Sequence, residues 1–366
     1  MTQAGPTPVL LAAGGTGGHL FPAQALAHAL AARGVPVELV TDERALRYGD
    51  GFPARATHSV PSATPTASGL LAKATAIASL ARGVLASLAL LRRVKPRVVV
   101  GFGGYPTVPP IVAASLLRIP TVVHEANAVM GRANRLLAGR VTRIATGFPL
   151  AKANAAMLAK TDVTGNPIRP SVIAAADAPT RQNDGRLNIL VTGGSQGARI
   201  FADVVPPAIA LLTQDERARI TLVQQARDED LARSKAAYDA LGFAAELAPF
   251  FADLPARMAA ADLVIARAGA STVSELAVIG RPAILVPFPH ALDADQAANA
   301  AELARTGAVD VIDQKVFKPE DLARKLRAAL ENPAGLTARA TAAKSAGIRD
   351  AAERLADLAL SVARGD

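Results

Sequence analysis

The sequence predicts an α/β protein built from two open, mainly parallel sheets. Three observations carry that reading. Short β-branched runs alternate with longer Ala/Leu-rich runs, the pattern of repeated strand–helix units. The stretch VLLAAGGTGGHLFPAQALA (Val9–Ala27) is echoed by NILVTGGSQGARIFADVVP (Asn188–Pro206), each an apolar run, a glycine loop and a helical stretch. Between them, GNPIRP (Gly165–Pro170) cannot continue a helix or a central strand, because proline lacks the N–H and glycine resists regular structure. One such loop opens one sheet, so two predict Rossmann-like domains in tandem: residues 1–165 and 166–345, with 346–366 a terminal helix able to pack back on the first. Ligands of open α/β sheets bind beyond the carboxyl ends of the strands. Two facing sheets would put both loops on one interdomain cleft.

The strands expected after the apolar run Val9–Ala13 are Val37–Val40, Val98–Val100, Thr121–His124 and Arg143–Ala145 in the first half. Asn188–Val191, Ile220–Val223, Leu263–Ala266 and Ala283–Val286 follow in the second. At 51% hydrophobic residues, the chain can bury large cores. It has no cysteine, which excludes disulfides, thiol nucleophiles and cysteine metal sites. No signal peptide and no uninterrupted apolar stretch of about 20 residues stands out. The expectation is a soluble cytoplasmic protein.

The net charge of +9 is lopsided. Met1–Gly165 holds 17 Lys/Arg against 6 Asp/Glu, whereas the remainder holds 23 against 25. Between Asp50 and Asp162 the only acid is Glu125. Such a block implies an anionic partner: nucleic acid, a membrane surface or a phosphorylated substrate. With 4% aromatics and no tryptophan, stacking platforms are scarce and nucleic acid is disfavoured. Ser68–Arg97 mixes apolar and basic residues without acids, with Ile77, Leu80, Val84, Leu88 and Leu91 at helical spacing. Both a core-facing helix and a peripheral membrane contact give that pattern.

The loop GGTGGH (Gly14–His19) fits neither the dinucleotide fingerprint nor the P-loop. Its glycines still let backbone N–H groups approach an anion at a helix start, and Pro22 suits a first helical turn. His19 can act as a base near neutral pH, or merely cap or pack at the helix start. GFGGYPTVPP (Gly101–Pro110) is a second glycine turn after a strand. Glu125, in HEANAVMGRANR, is placed for chemistry or paired with a nearby arginine. In ARAGASTVSELA, Glu275 could hold ribose hydroxyls, but Thr272-x-x-Glu275 also reads as a capping box. Asp293-x-Asp295 is too common a pair to imply a metal, and Gln296 and Asn299 are better placed to hydrogen-bond a sugar or base.

Seven motifs stand in one order from Val9 to about Ala300: GGTGGH, GGY, HE-x-N, GNPIR, GGSQGAR, R-x-GA-x-TVSE and D-x-x-Q-x-x-NA. Together they resemble the bacterial cell-wall glycosyltransferases of family 28 type. The resemblance implies a GT-B fold. It implies inverting transfer of N-acetylglucosamine from UDP-N-acetylglucosamine to lipid I, giving lipid II, at the cytoplasmic face of the inner membrane. No cofactor and no bound metal is implied, and cell-wall or division proteins become candidate partners.

By position, the resemblance makes His19 the candidate base, with Glu125 second. Thr16, Gly17 and Gly18 would line the cleft, and Gly103, Gly104 and Tyr105 would form the acceptor loop. Asn127 and Arg169 would contact the donor. Ser195 and Gln196 would lie near the diphosphate, and the Phe251 backbone would read uracil. Ala270, Ser271, Thr272, Val273 and Ser274 would offer N–H groups to the diphosphate, Glu275 would hold ribose, and Gln296 would contact the sugar. Ala126, Ala268 and Pro106-Thr107-Val108 depart from the usual pattern, and Asp295 receives no role. The rival readings are another GT-B enzyme such as a 2-epimerase, a non-enzymatic nucleotide-sugar sensor, and a dinucleotide oxidoreductase.

Overall fold

The computed structural model describes residues 7–14, 17–42, 51–62, 70–179, 184–195, 197–291 and 294–365. The chain divides into two units: residues 1–169 with 349–366, and 170–348. The first break falls between Arg169 and Pro170, inside the Pro/Gly segment that cannot extend regular structure.

In the first unit the strands are β1 (Val9–Ala12), β2 (Val37–Thr41), β3 (Ala56–Ser59), β4 (Val98–Gly101), β5 (Thr121–Glu125), β6 (Arg143–Thr146) and β7 (Thr161–Val163). They form one parallel sheet in the order β3-β2-β1-β4-β5-β6-β7. The second unit holds β8 (Leu187–Thr192), β9 (Ile220–Gln225), β10 (Ala245–Ala248), β11 (Leu263–Ala266), β12 (Ala283–Leu285) and β13 (Val309–Val311), ordered β10-β9-β8-β11-β12-β13. The four strands that the sequence pattern does not show, β3, β7, β10 and β13, are the four sheet edges. Each is partly exposed, whereas β1, β4, β5 and β11 are buried throughout. An edge strand has no need of the continuous apolar run that a strand covered on both faces requires.

Strand alternation builds a core on each face of the first sheet. Val9, Leu11, Val98, Val100 and Val122 point to one core, while Leu10, Val99 and Val123 point to the other. The helix Gly17–Ala32 and the C-terminal helix Ala351–Arg364 cover the first face, the latter through Leu355, Ala356, Ala359 and Val362. The terminal helix therefore belongs to the first unit. Pro22 lies inside the helix Gly17–Ala32 rather than in its first turn, so it withholds an N–H from the Gly18 carbonyl, the helix position four residues before it.

The helix Leu70–Val94 helps cover the second face, with Leu90 and Leu91 buried and Val84 and Leu88 packed against the core. A Cβ at Gly83 would stand 2.2 Å from the Pro61 carbonyl oxygen, so only glycine allows that approach. Ile77 and Leu85 are exposed. The segment Thr75–Val94, with mean hydropathy 1.4, is long and apolar enough by composition to cross a membrane. The run is still interrupted by Arg82, Arg92 and Arg93, and Leu90 and Leu91 pack it on the core of the first unit.

In the second unit the helices Arg199–Ala210 and Pro319–Glu331 pack on one face of the sheet through Phe201, Val205, Ile209, Leu322 and Leu326. The helix Ala270–Ile279 packs with Pro170–Asp177 and Pro333–Ser345.

Candidate active site

Each sheet reverses its strand order beside its first strand, and each pair of glycine loops straddles that reversal. In the first unit Ala12 and Gly101 are register partners at the carboxyl ends of β1 and β4. The loops GGTGGH and GFGGY leave from there. In the second unit Thr192 and Ala266 are partners at the ends of β8 and β11, where GGSQGA and RAGAS leave. These are topological switch points, where open α/β sheets bind ligands.

The first switch point is organised around His19. Gly103 and Gly104 have φ of +86° and +72°, values that favour glycine. A Cβ on Gly103 would lie 3.3 Å from His19 Nε2, and one on Gly104 would lie 3.5 Å from His19 Nδ1. The imidazole therefore rests on a bare glycine surface. Thr107, fully buried, fixes that surface by donating its hydroxyl to the carbonyls of Ala12 (3.1 Å) and Gly103 (2.6 Å). A 3₁₀ turn, Tyr105–Thr107, follows directly, and Tyr105 packs against the core. Burial pushes the His19 pKa below its ordinary value, against the raising effects of Glu125 and of a bond to the Gly14 carbonyl. A ring nitrogen that donates to Gly14 leaves the other one unprotonated and able to accept a proton.

Glu125 is not paired with an arginine, and its carboxylate is spoken for. Oε1 accepts from the backbone N–H and side-chain amide of Asn127 (3.0 and 3.1 Å). Oε2 accepts from the Gly131 N–H and the Asn134 amide, both at 2.9 Å. At 4% exposure, it folds the loop 126–134 around itself and contributes negative potential at His19. Asn127 is thus held as a donor to Glu125. Asn134, which carries no sequence signal, also donates to the His124 carbonyl (3.1 Å). His124 is buried beside Phe102. Burial lowers its pKa to about 4, opposed by a bond to the Gly165 carbonyl and reinforced by His19. Arg169 stacks its guanidinium 4.3 Å from the Phe21 ring centre. Gly17 and Gly18 open the helix that carries His19, and Thr16 lies outside the described residues.

At the second switch point the loop after β8 turns through Gly194 (φ +81°) and Gly197 (φ +66°). A Cβ at Gly193 would meet the Ala198 nitrogen at 2.3 Å, whereas one at Gly194 would meet nothing within 4 Å. The open side of Gly194 gives a ligand access to backbone. Ser195 sits in this turn, and Gln196 and Asp293 lie outside the described residues. The helix Arg199–Ala210 begins after Ala198 with no side-chain cap. So does Ala270–Ile279 after Gly269, and its first turns carry Ala270, Ser271, Thr272, Val273 and Ser274. Uncapped helix starts direct N–H groups and positive partial charge outward.

This geometry removes the capping-box reading. Gly269 is the N-cap, so Thr272 already lies in the first turn and Glu275 is well inside the helix, buried at 8% exposure. Gln296 is oriented by its Oε1, which accepts from the backbone N–H groups of Phe288 (2.9 Å) and Ala268 (3.3 Å). Asn299 donates to the Ala268 carbonyl (3.2 Å). Together they hold both peptide groups of Ala268, inside the RAGAS turn. Asp295 accepts from the Gln296 N–H at the start of its own helix.

Phe251 is buried under the Arg257 guanidinium, 4.4 Å away, while Phe250 is exposed. Arg267 was not visible as a site residue. It donates to the carbonyls of Val286 and Pro287 and to Gln314, and burial lowers its pKa to about 10. Among the described residues no group of three His, Cys, Asp or Glu is arranged to hold a metal.

Two Rossmann-like units, each with paired loops at its switch point, define the GT-B fold. The model of the glycosyltransferase family 28 N-terminal domain matches residues 9–146, and that of the C-terminal domain matches residues 188–355. The chain belongs to glycosyltransferase family 28. It is 57% identical over 367 residues to the UDP-N-acetylglucosamine--N-acetylmuramyl-(pentapeptide) pyrophosphoryl-undecaprenol N-acetylglucosamine transferase of Methylobacterium sp., covering 99% of this chain and 98% of that one. The enzyme of the same name from Brucella suis is 55% identical over 359 residues, covering 98% and 94%. Among solved structures, MurG of Acinetobacter baumannii superposes with a TM-score of 0.79 at 29% identity, covering 97% and 100%. A UDP-N-acetylglucosamine 2-epimerase from Neisseria meningitidis shares the fold at a TM-score of 0.71 and 15% identity, covering 96% and 100%.

Proposed function

We propose that this chain transfers N-acetylglucosamine from UDP-N-acetylglucosamine to the muramoyl hydroxyl of undecaprenyl-diphospho-muramoylpentapeptide, lipid I, forming lipid II with inversion at the anomeric carbon. The near-full-length identity of 54–57% to transferases of that name carries the reading. The chemistry divides between the units. The sugar oxygen attacks the anomeric carbon, the bond to the β-phosphate oxygen breaks, and UDP leaves with the electron pair. The hydroxyl proton must go to a base, and His19 is our assignment: it is carried at the switch point of the first unit, against Gly103 and Gly104, and burial lowers its pKa, so the ring is neutral at neutral pH. Glu125 then acts through position and charge, since four N–H donors already engage its carboxylate.

On the donor side, the developing diphosphate charge is met by the N–H groups of Ala270, Ser271 and Thr272 and of the Ser195 turn, which requires no metal. Val273 and Ser274 drop out of that set, because the Val273 N–H already donates to the Gly269 carbonyl at 3.0 Å and Ser274 follows it inside the helix. Glu275 holds the ribose and the Phe251 backbone reads the uracil. Asn127 and Arg169 belong to the first unit's contribution to donor binding. The basic first unit, with Ile77 and Leu85 exposed on a helix carrying Arg82, Arg92 and Arg93, supports peripheral attachment to an anionic membrane where lipid I resides.

The decisive assay measures UDP release with UDP-N-acetylglucosamine and lipid I, or a short-chain analogue. Release is expected only when both are present; equal release without acceptor would overturn the reading. Sedimentation with vesicles tests attachment, which should require anionic lipid and weaken as salt rises.

A further inference from the structure

We infer that Gln225, at the carboxyl end of β9, is a positioning residue that locks the glycine loop after β8 to the segment after β10. This rests on assigning both segments to the donor site. Gln225 is 5% exposed and uses both ends of its amide twice. Its Oε1 accepts from the Thr192 hydroxyl and the Gly193 N–H, both at 3.0 Å. Its Nε2 donates to the carbonyl of Gly194 at 2.9 Å and to that of Pro249 at 3.1 Å.

The arrangement has one sense only. A flipped amide would set NH₂ against the Gly193 N–H and oxygen against two carbonyls, losing three of the four bonds and keeping only the one to the Thr192 hydroxyl, which can turn to accept. Only a neutral primary amide of this length supplies two donors and two acceptors here. Aspartate or glutamate lacks the donors, and lysine or arginine lacks the acceptors.

The position of the four partners gives the bonds their consequence. Gly193 and Gly194 lead into the turn that exposes backbone at Gly194, and Gly197 closes it by donating to the Gly194 carbonyl at 3.0 Å. Pro249 is two residues before Phe251, whose backbone is assigned to uracil. Strand pairing couples the two segments only indirectly, through the Ala226 N–H bond to the Ala248 carbonyl. The Gln225 side chain joins them directly. It thereby fixes the distance between the diphosphate-binding turn and the base-reading backbone, which a single UDP must span. Its neighbour Gln224 points to the other face, where it accepts from the buried Tyr238 hydroxyl at 2.6 Å, so it cannot substitute.

The test compares Gln225→Glu and Gln225→Met with the wild-type full chain. Both should raise KM for UDP-N-acetylglucosamine about tenfold or more, while KM for the lipid I analogue and kcat change less than about threefold. Gln225→Glu carries a further signature. Its carboxylate faces two carbonyls, so protonation restores a donor, and its donor KM should fall toward wild type between pH 8 and pH 5.5. Gln225→Met should show no such pH dependence relative to wild type. Parallel losses in kcat and both KM values, or a lowered melting temperature with unchanged donor KM, would overturn the inference.

Gly194→Val tests the underlying assignment. If it raises donor KM and neither Gln225 variant does, the positioning role is wrong. If it too leaves donor KM unchanged, the loop lies outside the donor site and the inference falls with it. Should the Gln225 variants fail to fold, amide exchange on the wild-type protein decides. Saturating UDP should slow exchange at 193–197 and at 250–251 together, and slowing at one segment alone would overturn the coupling.

Discussion

The two glycine loops begin from nearly the same sequence at the same place in a sheet, yet they are finished differently. After β1 the described start of the loop, Gly14, is packed from its own unit. A Cβ on Gly14 would meet Pro106 at 3.0 Å and Asp42 at 3.1 Å, and the His19 ring lies over Gly103 and Gly104. After β8 the corresponding turn is braced from behind by Gln225 and left open at Gly194. In the first unit the glycines of the neighbouring loop, Gly103 and Gly104, seat the side chain that the first loop leads into, whereas in the second unit Gly194 stays open on the side proposed for the ligand. A glycine-rich strand–helix junction thus specifies close approach of backbone to something. The neighbouring strand's loop decides whether that something belongs to the protein.

Removing the side chain from its seat is the largest break in this comparison. His19→Ala should lower kcat by roughly 10²- to 10⁴-fold and change KM for UDP-N-acetylglucosamine by less than about threefold, measured by steady-state UDP release. Unchanged kcat would strip His19 of the base role. The same seat makes the first unit the acid-sensitive one. It contains buried His124, whereas the only histidine of the second unit, His290, is exposed. With a folded pKa of about 4 against an ordinary 6.5, the unfolded chain binds the extra proton first as pH falls. Stability is therefore full above about pH 6.5 and is lost on the way down to pH 4, by roughly 3 kcal/mol. Denaturant titrations at pH 7 and pH 4.5 should show this loss, and His124→Asn should reduce it, leaving the smaller part that His19, also lowered by burial, contributes. An equal acid slope in the variant would place the sensitivity elsewhere.

What the sequence made legible follows burial and locality. β1, β4 and β11 announce themselves as apolar runs because they are covered on both faces, while β3, β7, β10 and β13 were hidden as edges. The glycine loops and His19 are local patterns and could be read directly. Thr107, Asn134, Gln225 and Arg267 could not, because each acts through bonds to residues distant in sequence. Gln225 reaches across 24 to 33 positions. Glu125 shows the same limit from the other side. Its isolation in a basic field was visible, but its actual partners are neutral amides and backbone, which carry no charge signature.

Two intermediate effects sharpen the contrast between the seats. Glu275→Ala should weaken UDP binding by roughly ten- to a hundredfold in calorimetry, the range for a hydrogen bond to a charged group. A drop in melting temperature with unchanged UDP affinity would remove its ribose role. Gly103→Ala and Gly194→Ala both force alanine into positive φ, a strain of about 1 kcal/mol each. Only Gly103→Ala also presses on the His19 ring, 3.3 Å from the new Cβ. It should therefore cost kcat more than Gly194→Ala does, while Gly194→Ala should act mainly on donor KM. Matching kinetic profiles for the two variants would erase the distinction between the seats.

The smallest effect separates a helix built to meet an anion from one closed by its own side chains. Thr213 and Glu216 form a complete reciprocal cap on the short helix Gln214–Ala218, so this unit does use that device. At Ala270–Ile279 the same T-x-x-E spacing is displaced into the helix by the Gly269 N-cap. Thr213→Ala should then cost about 1 kcal/mol of stability. Thr272→Ala should change stability by no more than about 0.5 kcal/mol, because alanine's better helix propensity offsets the small loss of contact. Urea midpoints of the two variants give the comparison directly. Equal costs would mean that Thr272 does cap its helix, and the N–H groups assigned to the diphosphate would already be satisfied from within the chain.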